Sequence, residues 1–210
     1  MKKFVLLAAA ALSLGAVAPA VAQAPTVNIS ISKPSGGPEG TVTTAIYGQV
    51  VRLSGEVSNG QAGETVLVTI SPYGGLESTR QVITQAGGDF EVAHKPTIRT
   101  SYIARWRGTT SGQEPYTHVR PAVSLRVLNA RAGRFYVRVG ANAAKVARTV
   151  TFQRRTSATS WRTIKRVKLG ASLQTRFTAS LPRGTSRVRI LVPQKPGYLQ
   201  ATSAFVKVTR

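Results

Sequence analysis

Hydrophobic and polar residues alternate along most of the chain after residue 24. In the first half, PTVNISIS, QVVRLSGEV and TVLVTIS place an apolar side chain at every second position, and Gly, Pro, Asn and Ser recur between these segments. This period of two, interrupted by turn residues, predicts β-strands and an all-β fold. Four further predicted strands bring the first half to seven: a weaker one near TRQVIT, those around Phe90 and Tyr102, and a short one at YTHV.

The second half repeats this series of segments. PAVSLRVL corresponds to PTVNISIS, GRFYVRVG to GQVVRLSG, and RTVTFQR to ETVLVTI, while SAFVKV closes the unit. Short strands with frequent turns over this length predict an immunoglobulin-like or fibronectin-like β-sandwich. We therefore expect two tandem sandwiches of about seven strands each, in residues 25–120 and 121–210. Because Pro121 restricts the backbone between them, we expect a junction without a flexible linker.

The register of the repeat is decided by burial. Matching the Thr-Ser pairs of TSYIARW and TSRVRIL gives an offset of 85 residues, which would turn Arg187 and Arg189 toward the core. An offset of 86 instead matches Val188 and Ile190 to Tyr102 and Ala104. Since a slip of one residue moves every side chain to the other face, the second offset is predicted.

The combined pattern VVRLSGEV, ETVLVTI, GGDFEV, TSYIARWRG and VRPAVSL resembles the tandem Ig-like repeats of secreted bacterial proteins, especially actinobacterial ones. The resemblance covers residues 25–210 and is best in the first unit, because the second lacks counterparts of Tyr102 and Trp106. It implies scaffolding, adhesion or accessory binding, and it brings no catalytic residues to this chain.

The N-terminus has the pattern of an export signal. Lys2 and Lys3 precede an apolar run over 4–17, and Ala22 and Ala24 flank Gln23 in a small-x-small cleavage motif. The run is too short for a membrane anchor, so we expect cleavage near Ala24 and a secreted protein, extracellular or periplasmic, without a transmembrane segment.

The charge divides the chain into two unlike halves. Residues 25–120 contain eight Lys or Arg and seven acidic residues, a net charge of +1, whereas residues 121–210 contain nineteen Lys or Arg and no acid, a net charge of +19. Self-repulsion in the second half costs stability, and a nonspecific attraction to polyanions is expected.

Residues suited to catalysis or metal binding are sparse. His94 and His118 are the only histidines, Asp89 is the only aspartate, and there is no Cys. The alternation places His94 at a strand end as a half-buried structural residue, and Asp89 at a turn entering that strand. No hydrolase motif or metal-ligand spacing is present. We expect no enzyme, no cofactor and no metal; a hydrolase using Asp89 and His94 would require both side chains to converge in a pocket.

The basic second half supplies the candidate site. Alternation turns its cationic side chains outward on both predicted sheets, so the charge is expected to surround the domain. Tyr136 is predicted to point outward among them, Trp106 to lie in the core, and Trp161 to be buried or half-exposed. The candidate polyanion-binding residues are Arg134, Arg138, Arg155, Arg162, Lys165, Arg187, Arg189 and Lys207.

Three explanations of this charge stay open at the level of sequence. The first is binding to anionic cell-envelope polymers, such as teichoic acids or lipopolysaccharide phosphates, with other surface proteins as further partners. The second is a purely structural or adhesive spacer whose arginines reflect a GC-rich genome. The third is nucleic acid, expected only as a nonspecific partner because no recognition module is visible. A carbohydrate-binding module is a weaker alternative, since exposed aromatic residues are few.

Overall fold

A computed structural model of the chain describes residues 24–32 and 40–210. Nearly all of the expected export signal lies outside the described residues. Within the described ranges, no helix has the length and apolar character needed to cross a membrane.

The described residues form an all-β structure, as the alternation predicts. Two hydrophobic cores divide it into a first sandwich, β1 to β9, and a second sandwich, β10 to β17. The strands are β1 (Val27–Ser32), β2 (Val42–Ile46), β3 (Val51–Val57), β4 (Thr65–Pro72), β5 (Ser78–Ile83), β6 (Asp89–His94), β7 (Thr100–Trp106), β8 (Thr109–Thr110), β9 (Tyr116–Arg120), β10 (Ala122–Asn129), β11 (Arg134–Gly140), β12 (Thr149–Arg155), β13 (Trp161–Lys168), β14 (Gln174–Thr178), β15 (Thr185–Val192), β16 (Ala201–Thr202) and β17 (Val206–Thr209).

Each sandwich contains one sheet of three strands and one larger sheet. In the first sandwich the sheets have the orders β1-β3-β6 and β2-β9-β7-β4-β5, with β8 paired to β7. In the second they have the orders β10-β11-β14 and β13-β12-β15-β16, with β17 also paired to β15. The same division of strands in both units confirms two tandem sandwiches of the immunoglobulin and fibronectin type.

Strand β2 is an element that alternation does not reveal. It runs parallel to β9, with Val42 opposite Tyr116 and Ile46 opposite Arg120. Val42 and Ile46 are about half exposed, and only Ala45 of this strand is fully buried. A strand at a sheet edge that buries one small side chain lacks the apolar periodicity of a central strand.

The offset of 86 residues is confirmed. Ala104 lies opposite Val68 in the first sandwich, and Ile190 lies opposite Phe152 in the second. Val188 and Ile190 are fully buried, so Arg187 and Arg189 lie on the outward face of β15.

In each sandwich a cation on the edge strand of the larger sheet reaches across to the edge strand of the three-stranded sheet. Arg80 of β5 donates a hydrogen bond across to the carbonyl of Ala93 in β6, at 2.9 Å. Lys165 of β13 donates in the same way to the carbonyl of Thr178 in β14, also at 2.9 Å. Donors and acceptors both correspond at an offset of 85 residues, so this bridge belongs to the repeated unit.

The two sandwiches share a packed junction. Ile98, in the segment between β6 and β7, is 5% exposed and belongs to the core of the second sandwich. Tyr198 is buried; its hydroxyl donates to the carbonyl of Thr97 and accepts from the backbone N–H of Asn142 at 2.8 Å. The backbone N–H of Arg99 donates to the carbonyl of Gly197 at 2.9 Å. Only Pro121 separates β9 from β10.

Candidate polyanion-binding surface

The outward face of the larger sheet of the second sandwich collects cations and aromatic rings. Because Val188 and Ile190 point inward, β15 presents Arg187 and Arg189 on the other face. The antiparallel register places Arg187 opposite Lys207 and Arg189 opposite Gln153. We call this surface the Trp161 face, formed by the outward side chains of β12, β13, β15 and β17 and the adjoining Phe205.

Two arginines of the Trp161 face lie against aromatic rings. The Cζ of Arg189 is 4.0 Å from the centroid of the Trp161 ring, and the Cζ of Arg187 is 5.4 Å from that of Phe205. The Nε of Arg189 also donates to the Oε1 of Gln153 at 2.9 Å. Partial burial lowers the pKa of the Arg189 guanidinium. These contacts hold the guanidinium while its terminal nitrogens have the geometry for bidentate contact with phosphate.

Arg155 contributes to the turn rather than to the open surface. Its Nε donates to the carbonyl of Ser157 at 2.9 Å, and a terminal nitrogen donates to the carbonyl of Ala158. The guanidinium therefore closes the turn between β12 and β13 with two of its five N–H donors, and it contributes charge near the Trp161 face.

Arg162 and Lys165 lie on the other side of β13. Arg162 is opposite Arg154, which itself lies opposite the buried Val188, and Lys165 is opposite the buried Phe152. Both positions are therefore on the core side of the sheet, at its edge. A β-bulge between Phe152 and Gln153 shifts the register there, so simple alternation along β13 does not predict which cations share a face.

Arg134 and Arg138 lie on the opposite sheet. There, Tyr136 sits between Arg126 and Arg176 on the neighbouring strands, and its hydroxyl donates to the Oε1 of Gln174. We call this second surface the Tyr136 face. The predicted outward position of Tyr136 is confirmed, and so is the expectation that cations occupy both sheets.

The structure thus brings together only part of the predicted set. Arg187, Arg189 and Lys207 share the Trp161 face, with Arg155 at its end. Sequence reasoning did not assign Gln153 or Phe205 to this face; their cross-strand register identifies them, and no sequence motif does.

The remaining chemistry-bearing residues of the first sandwich have structural surroundings. Trp106 is 2% exposed, as predicted, and its Nε1 donates to the Oε2 of Glu64 at 3.0 Å. Arg107 forms an ion pair with the same carboxylate at 2.6 Å. The indole hydrogen bond and the Arg107 contacts together lower the pKa of Glu64.

His94 and Asp89 do not converge. They stand at opposite ends of β6, so at about 3.3 Å per residue their backbones are separated by roughly 17 Å. His94 is half-buried, its ring is edge-on to Tyr102, and its buried Nδ1 has no hydrogen-bond partner within the described part of the chain. Burial, followed by the charge of Arg80, lowers the pKa of His94 to about 4. Across residues 24–32 and 40–210, no three His, Cys, Asp or Glu side chains are grouped as metal ligands.

Comparisons with known proteins identify structures of similar fold. No protein-family model matches the chain. No curated protein is similar to it in sequence. Among solved structures, the chain is similar to a tetra-tandem repeat from the extending region of a large adhesion protein, at 15% identity and a TM-score of 0.37 over 89% of this chain. It spans 50% of that structure.

Two further structures are similar at the same level. A two-domain fibronectin type III segment of chicken tenascin has 13% identity and a TM-score of 0.42, with 74% of this chain and 89% of that one covered. The D0-D1 domain of intimin has 15% identity and a TM-score of 0.34, with 89% of this chain and 100% of that one covered. At this level of similarity, these structures assign neither a ligand nor an activity to the chain.

Proposed function

We propose that the chain is an exported, noncatalytic protein whose second sandwich binds anionic polymers of the cell envelope through the Trp161 face. The observation that carries the proposal is the pairing of Arg189 with Trp161 and of Arg187 with Phe205 on one face. A sandwich without a single acidic residue gives these guanidiniums no carboxylate partner of its own. Phosphate groups of an envelope polymer supply the missing counter-charge.

A second candidate function is a structural or adhesive spacer without a dedicated ligand. Two observations favour it: cations also cover the Tyr136 face, and the packed junction holds the two sandwiches as a short rigid unit. In this case, polyanion binding would be a property of the whole surface. The two functions therefore differ in whether the position of a cation matters, and not only its charge.

Two charge-matched triple variants of the mature chain, residues 25–210, separate these functions. The first is Arg187→Gln, Arg189→Gln and Lys207→Gln on the Trp161 face. The control is Arg126→Gln, Arg138→Gln and Arg176→Gln on the Tyr136 face; each removes three positive charges. Binding to immobilised lipoteichoic acid and to lipopolysaccharide is measured from low salt to above about 0.15 M, with duplex DNA as the comparison polyanion.

We expect the Trp161-face variant to weaken binding by more than about tenfold and to reduce the slope of log K against log salt by up to about three. The Tyr136-face variant should lose less than about threefold. Equal losses in both variants, together with equal affinity for DNA, would reject the dedicated face and leave the spacer function. The intact chain is used because Ile98 of the first half completes the core of the second sandwich.

A further inference from the structure

A groove crosses the outward face of the larger sheet in the first sandwich. Ser71 of β4 lies opposite Ser101 of β7, and Ser101 lies opposite Tyr116 of β9. Two adjacent serines therefore form a low floor. Tyr116 rises beside this floor on β9, and Tyr73, Arg99 and His118 line the same depression in the next row of outward side chains. The depression follows from the difference in side-chain size across three neighbouring strands.

The walls of this groove are held in place. The Cζ of Arg99 is 5.0 Å from the centroid of the Tyr73 ring, and Tyr73 remains 41% exposed. The rings of Tyr116 and His118 meet edge to face, with centroids 5.1 Å apart and planes at 89°. The rings thus offer apolar surface next to polar atoms, in a geometry that is fixed before any ligand arrives.

The groove continues into the crease between the two sandwiches. Arg99 and His118 also line a second depression, whose other wall is the loop 194–199 of the second sandwich. This loop is fixed by the buried Tyr198 and by the backbone hydrogen bond between Arg99 and Gly197. A preformed concave site at a domain junction, with rings and a few polar groups, is typical of small-molecule and oligomer recognition.

The polar groups in the groove are mixed in sign and in hydrogen-bonding character. Arg99 and Lys195 donate, Glu114 accepts, and the serine hydroxyls do both. Ser71 also donates to the carboxylate of Glu77 at 2.7 Å, which adds negative charge at the floor. A polyanion would meet these acids, whereas a neutral sugar both donates and accepts hydrogen bonds and presents apolar C–H faces to aromatic rings.

From this geometry we infer that the groove, defined by Ser71, Tyr73, Arg99, Ser101, Tyr116 and His118, binds an uncharged polysaccharide chain. Both depressions are open to solvent and run into one another. The site therefore fits internal sugar units of a chain better than a single terminal residue. This binding is independent of the Trp161 face, since none of the residues that line the two depressions belongs to that face.

The experiment is calorimetric titration of the mature chain with four neutral hexasaccharides: cellohexaose, laminarihexaose, mannohexaose and chitohexaose. We expect at least one to bind with a Kd below about 1 mM, and Tyr73→Ala and Tyr116→Ala each to weaken that binding by about tenfold or more. Tyr136→Ala, at an aromatic position on the second sandwich, is the matched control and should bind like the unmodified chain. Thermal unfolding of each variant checks that the fold is retained.

Three outcomes would overturn the inference. The first is that none of the four sugars binds. The second is that Tyr73→Ala and Tyr116→Ala both stay folded and bind the sugar as the unmodified chain does. The third is that the affinity for the sugar falls steeply with salt. The Trp161-face triple variant should bind the sugar normally. A failure here is thus distinguishable from a failure of polyanion binding.

Discussion

The junction residue Ile98 offers the most direct test of how the two sandwiches cooperate. Its side chain belongs by sequence to the first sandwich, but it packs among the core residues of the second. It also lies against Gly197, where an added Cβ would come within 2.6 Å of the Ile98 side chain. Replacing Ile98 with Ala therefore opens a cavity where the first sandwich contributes to the core of the second, as it also does through Val119.

The expected cost follows from burial. Ile98 is 5% exposed, and Ile→Ala removes three carbon atoms, worth about 2.4 kcal/mol at about 0.8 kcal/mol for each buried group. The cavity adds to this loss, so the total is about 3 to 4 kcal/mol. For a chain of this size, that corresponds to a fall in Tm of roughly 6 to 16 °C.

The chain provides its own reporters, because Trp106 lies in the first sandwich and Trp161 in the second. Urea unfolding is followed by tryptophan fluorescence in Trp161→Phe and Trp106→Phe backgrounds, with and without Ile98→Ala. The matched control is Ile83→Ala, at a position that is 53% exposed and should cost less than about 0.5 kcal/mol. We expect Ile98→Ala to lower the midpoint of the Trp161 transition and to separate it from the Trp106 transition. A change below about 1 kcal/mol at both reporters would refute the packed junction.

The remaining predictions concern charge. Lys165→Met and Arg80→Met each remove a cation that bridges the two sheets, and each should lower the free energy of unfolding in urea by about 1 kcal/mol. The control Lys168→Met, at an exposed position, should lower it little. Equal losses in all three variants would refute the bridges. Since the pKa of His94 is lowered to about 4 in the folded state, the unfolded chain binds a proton more readily below its ordinary pKa of about 6.5, and stability falls as pH drops through this window. Allowing for the partial exposure of His94, the loss of stability is about 1 to 2 kcal/mol. His94→Gln should abolish this loss, and His118→Gln should retain it. A pH profile of stability that His94→Gln leaves unchanged would contradict the assignment of the loss to His94. Raising the salt concentration should stabilise the second sandwich more than the first, because screening relieves its self-repulsion. Equal shifts of the urea midpoints reported by Trp106 and Trp161 would argue against that repulsion.

Most of the fold can be predicted from the sequence because alternation encodes which side chains are buried, although it does not reveal the edge strand β2. Tyr102 and Val188 were matched correctly across the repeat, since an offset of 85 would have buried arginines. Alternation fails where the backbone departs from regular pairing. The bulge beside Phe152 shifts β13 by one residue and places Lys165 on the core side, and no local feature of WRTIKRVKL announces this.

The site was less predictable, because it depends on contacts between distant segments. Tyr198 bonds to Thr97, 101 residues away, and this contact helps to form the crease next to Tyr73. Its role was not predicted, since a tyrosine in a Pro/Gly loop gives no sign of its partner. Likewise, Arg155 is predicted as a ligand-binding residue, but two of its N–H groups donate to the turn that follows it.

The charge of the second sandwich is carried almost entirely by positions that do not affect its core. Phe135, Phe152 and Phe177 pack with ring centroids 4.8 to 5.5 Å apart. Three cations lie on the core side of the larger sheet instead: Arg162 and Lys165 at its edge, and Arg154. Arg154 takes the place of the buried Ile70 of the first sandwich, and its buried Nε has no partner in the described residues. Outward placement alone is expected whether the arginines arose by composition or by selection for binding, because in either case a hydrophobic core does not tolerate an unpaired guanidinium. The proposed binding function rests on the pairing of two arginines with aromatic rings on one face. The near-neutral first sandwich also pairs Arg99 with Tyr73 and Arg107 with Trp106, so the pairing alone does not separate the explanations. The comparison of equal charge losses on the Trp161 and Tyr136 faces therefore tests position, which is the property that only a binding function requires.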